Sequence, residues 1–487
     1  MKKNKLLKNT IIIIITSFIV KIIGMFGKII TTRTLGIEGM SKYVLSYPTL
    51  LLFINIAGFS MNNTMSKLIS ESYATKKYSP RTILKKGIKT SLLISIICII
   101  VYLISIKSIT TYLLKDESLF FPLLVGTFLI PLVGISDALR GYFNGIKEIK
   151  TASTSLLLEQ IFRTTFSLIG IFIGIKYNIL LATAFLYIAL SIGEIASITY
   201  CIIKLYFKRP IHYFNTSGEQ KIIYKTAGFL TLSKIIGSLS YFLEPILYTG
   251  ILSYLNYEIN VIHDAYTTID AYTIPLLTII SFIPFSLSTA IIPHISESYA
   301  KKDKSSLTNY ISKAFFLTLY PASICLLTIF VYPNELMLLL FKTTIGANLA
   351  KNVSILFIFY YLQVISTSIL QAMGEVKIIL NNSFFNNILR LVLILVLPFF
   401  PIINCNSIIY AVIFSSIISS IFLLISIFKK TNFSISIKRI LIILIILILS
   451  YSMYTLLNYF HINYLLSIIT VIIFNVFCFI LMLRKKL

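Results

Sequence analysis

Apolar runs long enough to cross a lipid bilayer recur from one end of this 487-residue chain to the other. About 20 consecutive apolar residues form a helix that spans the hydrocarbon core, and a backbone in lipid must satisfy its own hydrogen bonds. Hydrophobic residues make up 57% of the chain and charged residues only 12%, with a mean hydropathy of +0.91. These values exclude a soluble globular protein and predict an all-α polytopic membrane protein.

The apolar runs divide into about fourteen transmembrane helices. The predicted spans lie near residues 9–32, 43–65, 88–106, 119–139, 153–174, 179–203, 227–254, 270–293, 313–332, 350–373, 382–400, 407–428, 440–459 and 464–483. The first run has no small-residue cleavage site, so we expect a retained span and not a signal peptide.

The positive charges alternate between the predicted loops. Of the 43 Lys and Arg residues, 31 fall in loops on the side of the N-terminus, including Arg140, and six fall in loops on the other side. Cytoplasmic loops of membrane proteins carry the excess of Lys and Arg. The pattern predicts a cell-membrane protein with both termini in the cytoplasm, and it explains the net charge of +26 without nucleic-acid binding.

Three short patterns occur twice in the same order, which indicates an internal duplication. The pairs are 69–74 with 295–300 (both Ile-Ser-Glu-Ser-Tyr-Ala), Lys21–Gly24 with Lys234–Gly237 (both Lys-Ile-Ile-Gly), and Lys150 and Arg163 with Lys377 and Arg390. Because each copy holds six spans, the copies keep the same orientation. We expect pseudo-symmetric six-helix lobes at 1–226 and 227–430, followed by two additional helices in 431–487.

Lysines inside the apolar spans are the first candidate site. Lys21 and Lys28 share one helix face, and Lys234 repeats Lys21 in the second copy. A charge at the bilayer centre costs about 2.5–3.5 kcal/mol on insertion scales, so these lysines indicate a cationic cavity for an anionic ligand. Pairing with nearby acids, or extension of the side chains to the membrane surface, is the alternative explanation.

Acidic residues within spans supply the other candidates. Glu159 and Arg163 have the favourable i, i+4 order of a structural ion pair. Glu244 could neutralise a lysine or carry a coupling cation or proton, and Glu194 is a similar but isolated candidate. Asp137 is expected at the membrane interface. No catalytic constellation, metal-ligand spacing or cofactor motif is found, so neither an enzyme, a metal site nor a cofactor is expected.

The residues resemble the stage V sporulation protein B family. The shared pattern includes Lys21-x-x-Gly24-x-x-x-Lys28, the segment from Arg33 to Gly39, and Tyr47-Pro48. It continues in 141–145 (Gly-Tyr-Phe-Asn-Gly), 159–163 (Glu-Gln-Ile-Phe-Arg) and 293–297 (Pro-His-Ile-Ser-Glu). This family belongs to the multidrug/oligosaccharidyl-lipid/polysaccharide (MOP) exporter superfamily, which also contains the MurJ and Wzx flippases.

The resemblance implies a fold of fourteen helices in two lobes and a flippase for sugars linked to undecaprenyl pyrophosphate, with lipid II as one candidate substrate. It assigns Lys21, Lys28 and Arg33 to basic positions of the first helix, and it implies that the last two helices form a groove for the lipid tail. In the MurJ branch a further arginine of the first helix would fall, by spacing, at the position of Gly27, so this chain departs from that branch there. A multidrug or cation antiporter of the same superfamily and a non-transporting scaffold for cell-wall synthesis are the alternatives. Expected partners are the anionic lipid-linked oligosaccharide, membrane lipids and a monovalent cation or proton, with no nucleic acid.

Overall fold

The structure, a computed structural model, describes residues 2–75, 79–207, 219–279, 294–431, 433 and 437–484. The regular elements within these ranges are all helices. In chain order the α-helices are α1 (Lys2–Gly58), α2 (Met61–Thr75), α3 (Pro80–Ser108), α4 (Phe120–Gly126), α5 (Leu129–Gly145), α6 (Ile149–Gly174), α7 (Ile179–Tyr206), α8 (Glu219–Tyr254), α9 (Ile259–Thr267), α10 (Ile274–Leu277), α11 (Lys304–Val331), α12 (Pro333–Phe341), α13 (Ala347–Ser354), α14 (Ile358–Ala372), α15 (Val376–Val396), α16 (Ser407–Thr431), α17 (Ile437–Tyr459) and α18 (Tyr464–Arg484), and a helical stretch covers 294–300.

Ten helical segments within the described ranges are long and apolar enough to cross a membrane, or eleven if α13 and α14, which are bent by 61°, form one span. The all-α polytopic fold is therefore confirmed. The number fourteen stays a prediction for two reasons. Helix α1 covers the first two predicted spans, and the apolar part of α18, Tyr464–Phe479, is shorter than the length required of a span. Most of the eighth predicted span, 270–293, lies outside the described residues.

Gly36 divides α1 into two helices. Its backbone has φ 65° and ψ −166°, a conformation that is open to glycine and strained for other residues. The helix that carries Lys21 and Lys28 therefore ends here, and the helix that carries Pro48 begins. The sequence predicted this break as the short loop between the first two spans.

The chain divides into two compact units, Met1–Thr267 and Thr268–Leu487. In the first unit α1 packs on α6, and the two helices run parallel, because Gly24 faces Gln160 and Gly27 faces Thr164 one turn further along both. Parallel packing is what the first and fifth spans of an alternating topology require. The predicted lobe boundary at residue 226 stays a prediction. Both α8 and α9, which follow it, pack within the first unit.

Two left-handed turns recur at equivalent positions of the duplicated sequence. The first turn follows α5 and contains Lys147 (φ 64°) in one copy, and it follows α14 and contains Gly374 (φ 78°) in the other. The backbone hydrogen bonds that close these turns are Glu148 N to Phe143 O (2.8 Å) and Glu375 N to Leu370 O (3.0 Å). This is the Schellman arrangement at a helix C-terminus, so the two copies share backbone geometry as well as sequence.

The second turn contains Lys115 (φ 54°) in one copy and Lys342 (φ 58°) in the other. The residue after each lysine accepts a hydrogen bond from the amide two positions further on. The two bonds are Ser118 N to Asp116 Oδ1 (3.0 Å) and Ile345 N to Thr343 Oγ1 (3.2 Å). A carboxylate and a hydroxyl thus perform the same local role in the two copies.

Candidate functional site

The predicted cationic residues of the first helix lie before the break at Gly36. Lys21 is partly exposed, and Lys28 and Arg33 are exposed. The first two lie on one side of the helix because they are seven residues apart. The side of α1 that contains Gly24 and Gly27 is packed against α6, so the lysines lie next to a helix contact and not within it.

Lys234 lies on α8 and is exposed, whereas Glu244, ten residues further along the same helix, is 3% exposed. The first unit, Met1–Thr267, includes both α1 and α8, so it contains all four predicted ligand-binding cations. The assignment of these residues to ligand binding and coupling stays a prediction.

A buried ionic cluster lies between α5, α6 and α7. The Arg140 guanidinium, with the residue only 5% exposed, pairs with Glu159, lies 3.3 Å from Asp137 Oδ1 and lies 3.5 Å from Glu194 Oε2. Arg163 Nη1 lies 3.4 Å from Glu159 Oε1. Three acids therefore surround Arg140, and one of them also pairs with Arg163. A buried charge of either sign would be costly without its partners.

This cluster differs from the sequence-based expectation at two positions. Arg140 is not a loop residue, because α5 continues to Gly145 and turns Arg140 inward. Glu194 is not isolated but lies beside that arginine. Asp137 also contacts Arg140, and its position at the membrane interface stays a prediction. The i, i+3 spacing of Asp137 and Arg140 inside an apolar helix was the available signal, whereas the approach of α7 depends on tertiary packing.

A second group of charged side chains joins α1, α9 and the segment between α3 and α4. Lys42 Nζ donates to Asp116 Oδ2 (2.6 Å), and His263 Nε2 donates to the Leu114 carbonyl (3.1 Å). Burial raises the pKa of Asp116, but the hydrogen bonds from Lys42 and Ser118 outweigh it, so this pKa lies below its ordinary value. Burial lowers the pKa of His263, although the nearby Asp116 opposes that shift.

Apolar residues of the second unit surround a cavity of about 470 Å³. Its walls come from α10 and the residues after it, and from α11, α12 and α18. At one side Tyr320 donates to the Asn475 carbonyl (3.0 Å), and Asn475 Nδ2 donates to Ser450 (2.9 Å). A cavity with so few polar groups accepts hydrocarbon and not a charged group.

The bundle of apolar helices defines the chain as a polytopic membrane protein, and charged side chains buried inside one compact unit are typical of a function within the membrane and not of a simple anchor. Residues 6–299 match the polysaccharide biosynthesis protein family, and residues 243–396 match the MatE family. The first match covers more than half of the chain, so the chain belongs to the polysaccharide biosynthesis protein family. It is thus a member of the MOP superfamily, as its resemblance to the stage V sporulation protein B family predicted.

Individual relatives agree with this assignment. The chain is 27% identical to the stage V sporulation protein B of Bacillus subtilis (strain 168), over 90% of this chain and 86% of that protein. It is 24% identical to the lipid II flippase MurJ of the same organism, over 80% and 77% of the two chains. A solved structure of the lipid II flippase MurJ in an inward closed conformation has a TM-score of 0.73 and 16% identity, and covers 98% of this chain and 99% of that one. An inward-facing multidrug resistance MATE transporter has a TM-score of 0.65 and 11% identity, over 85% and 95%.

Proposed function

We propose that this protein is a flippase for an anionic lipid-linked oligosaccharide of the undecaprenyl-pyrophosphate type, acting in peptidoglycan, spore-cortex or polysaccharide synthesis. The observation that carries the proposal is the repeated Lys-Ile-Ile-Gly pattern, which puts Lys21 and Lys234 on two apolar helices that pack in one unit. A diphosphate needs cations once it leaves water, and Lys21, Lys28, Arg33 and Lys234 would supply them. The similarity to a lipid II flippase supports the substrate class.

The lipid part of the substrate requires a different environment from the diphosphate. The apolar cavity beside α18 supports a role for the last two helices in holding an isoprenoid chain. An amphipathic ligand of this kind would keep its tail in hydrocarbon, while the lysines bind its headgroup as the headgroup crosses the membrane.

The membrane potential gives the transport step a driving force. Outward movement of a dianion across the cell membrane is favoured by an inside-negative potential, by about 4–5 kcal/mol at 100 mV. Binding of a proton or a monovalent cation would help to restore the inward-open state. We assign this coupling role to the buried Glu244 and, as a second candidate, to Glu194.

A multidrug or cation antiporter is the second candidate function. The match of residues 243–396 to the MatE family and the likeness to MATE transporters favour it. An antiporter of organic cations needs acids facing its substrate, whereas the partly or fully exposed charges on α1 and α8 include Lys21, Lys28 and Lys234. This balance favours an anionic substrate.

A flipping assay for undecaprenyl-linked lipid II, in cells depleted of their own flippase, tests the proposal. The double variant Lys21→Ala, Lys234→Ala should lose at least about tenfold in flipping rate, because two charge-assisted contacts to the diphosphate are removed. The variant Lys107→Ala, which removes an exposed lysine near the end of α3, is the matched control and should flip normally.

Normal flipping by the double variant at equal expression would contradict the cationic site. If the unaltered protein moved no undecaprenyl-linked substrate, the scaffold alternative would replace the flippase. Export of organic cations, abolished by Glu244→Gln, would favour the antiporter.

A further inference from the structure

The glycines next to Lys21 bring α1 unusually close to α6. A methyl group at Gly24 would lie 3.3 Å from Gln160 Nε2, and one at Gly27 would lie 2.8 Å from Thr164 Cγ2. The second distance is too short for any side chain unless Thr164 moves. We call these four residues, Gly24 and Gly27 of α1 with Gln160 and Thr164 of α6, the glycine contact.

The α6 side of the glycine contact is held in place by hydrogen bonds. Gln160, only 4% exposed, donates through Nε2 to Thr164 Oγ1 (2.9 Å). Its Oε1 accepts a hydrogen bond from Arg163, which in turn lies 3.4 Å from Glu159. The buried ionic cluster therefore fixes the surface on which α1 rests, and a side chain added to α1 cannot easily displace it.

The second copy of the Lys-Ile-Ile-Gly pattern has no such contact. A methyl group at Gly237 on α8 would meet no atom within 4 Å among the described residues. The same four-residue pattern thus lies in a close contact in one copy and beside open space in the other. Because the local sequence is the same in both copies, the difference comes from the partner helix α6, which packs against the first copy.

We propose that the glycine contact is a positioning device for the cations of α1, and that Gln160 and Thr164 are its positioning residues. Lys21 and Lys28 lie to one side of Gly24 on the helix, and Gly27 lies to the other side. A side chain at Gly27 would push one edge of α1 away from α6 and rotate both lysines. This inference rests on the proposed function, because it explains how the lysines are held toward an anionic headgroup.

Three variants test the inference. Gly27→Ala introduces the clash, and Gly27→Ala with Thr164→Ser removes the offending methyl group while keeping the hydroxyl that accepts from Gln160. Gly237→Ala is the matched control in the other copy. For flipping, Gly27→Ala should raise KM about fivefold and leave kcat within about twofold, since an error of about 1 Å in position weakens binding geometry. The added Thr164→Ser should restore KM, and Gly237→Ala should leave it unchanged.

A second measurement does not depend on the substrate. Lys21→Cys, in a full-length variant whose five native cysteines are replaced by alanine, is labelled by a charged maleimide in detergent micelles. Gly27→Ala should change the labelling rate at least about threefold, and Thr164→Ser should reverse the change, because position 21 rotates with the helix.

The two measurements separate the possible failures. A changed labelling rate in a protein that flips no lipid-linked sugar would remove the proposed function and retain the positioning role. Unchanged KM and unchanged labelling in well-folded Gly27→Ala would overturn the inference. Failure of Thr164→Ser to restore either quantity would also overturn it, because the clash would then lie elsewhere.

Discussion

The first and second units contain the same two helix-ending turns but differ in the polar groups at other equivalent positions. Asp116 follows the left-handed lysine of one turn, and Thr343 follows the equivalent lysine in the other unit. Four residues before Arg163 stands Glu159, and four residues before Arg390 stands Asn386. A carboxylate at each of these two positions of the first unit is thus replaced by a neutral polar side chain in the second.

This difference separates what the repeated fold requires from what the first unit adds. The turn needs only an oxygen that accepts an amide hydrogen bond, and the Thr343 hydroxyl supplies it as the Asp116 carboxylate does. The negative charge of Asp116 has a further partner, Lys42. Because buried charges are costly unless they are paired, we interpret the carboxylates Asp116 and Glu159 as additions to a fold that neutral groups can build.

The largest expected effect comes from removing a buried acid of the first unit. Glu159→Ala should lower the free energy of unfolding by about 3 kcal/mol, because Arg140 remains buried after losing a close partner. The equivalent change in the second unit, Asn386→Ala, should cost less than about 1 kcal/mol. Its Oδ1 accepts no hydrogen bond in the part of the chain that the structure describes.

Unfolding of the two variants in mixed detergent micelles would measure this contrast. Glu159→Gln serves as a control for shape, and it should destabilise the protein nearly as much as the alanine, since the charge is the important property. Equal losses for Glu159→Ala and Asn386→Ala would show that the ionic cluster adds no stability beyond that of an amide.

The helices and the break at Gly36 could be predicted from the sequence because they depend on local patterns. Apolar runs of bilayer length define the spans, and the Gly36 segment separates two of them. The duplication was also visible, since the identical hexapeptides at 69–74 and 295–300 need no structure to be recognised.

The partners of charged side chains could not be predicted in the same way. Assigning Arg140 to a loop followed from counting cations outside the predicted spans, which ignores how far α5 continues. The contact between Glu194 and Arg140 joins residues 54 positions apart on two helices whose rotation no periodicity fixes. The contact of Gly27 with Thr164 likewise depends on which helix lies opposite.

A smaller, pH-dependent effect is expected at Asp116. Its carboxyl pKa is lowered in the folded protein, so its contribution is fully present above the ordinary value of 3.8 and is lost as the pH falls through the lower folded value. Asp116→Asn should therefore reduce stability by about 1–2 kcal/mol at neutral pH, through loss of the Lys42 pair. The difference from the unaltered protein should shrink below pH 3.8.

Thermal unfolding in detergent between pH 7 and pH 3 would show this convergence. Thr343→Val removes the acceptor of the equivalent turn in the second unit, and its effect should not vary over the same range, because a hydroxyl does not titrate there. A difference for Asp116→Asn that stayed constant down to pH 3 would mean that the charge of Asp116 does not stabilise the folded state.

The smallest expected effect concerns the backbone of the turn that the units share. Lys147→Gly should stabilise the protein by about 0.5 kcal/mol, because a left-handed conformation costs lysine about 1–2 kcal/mol and glycine less, while glycine gains entropy on unfolding. Gly374→Ala should destabilise it by about 1 kcal/mol through backbone strain alone, since a methyl group there meets no described atom within 4 Å. Melting temperatures of the two variants should therefore shift in opposite directions. A lower melting temperature for Lys147→Gly would mean that the lysine side chain has a stabilising contact that outweighs its strained backbone, and the two turns would then be equivalent in geometry but not in energy.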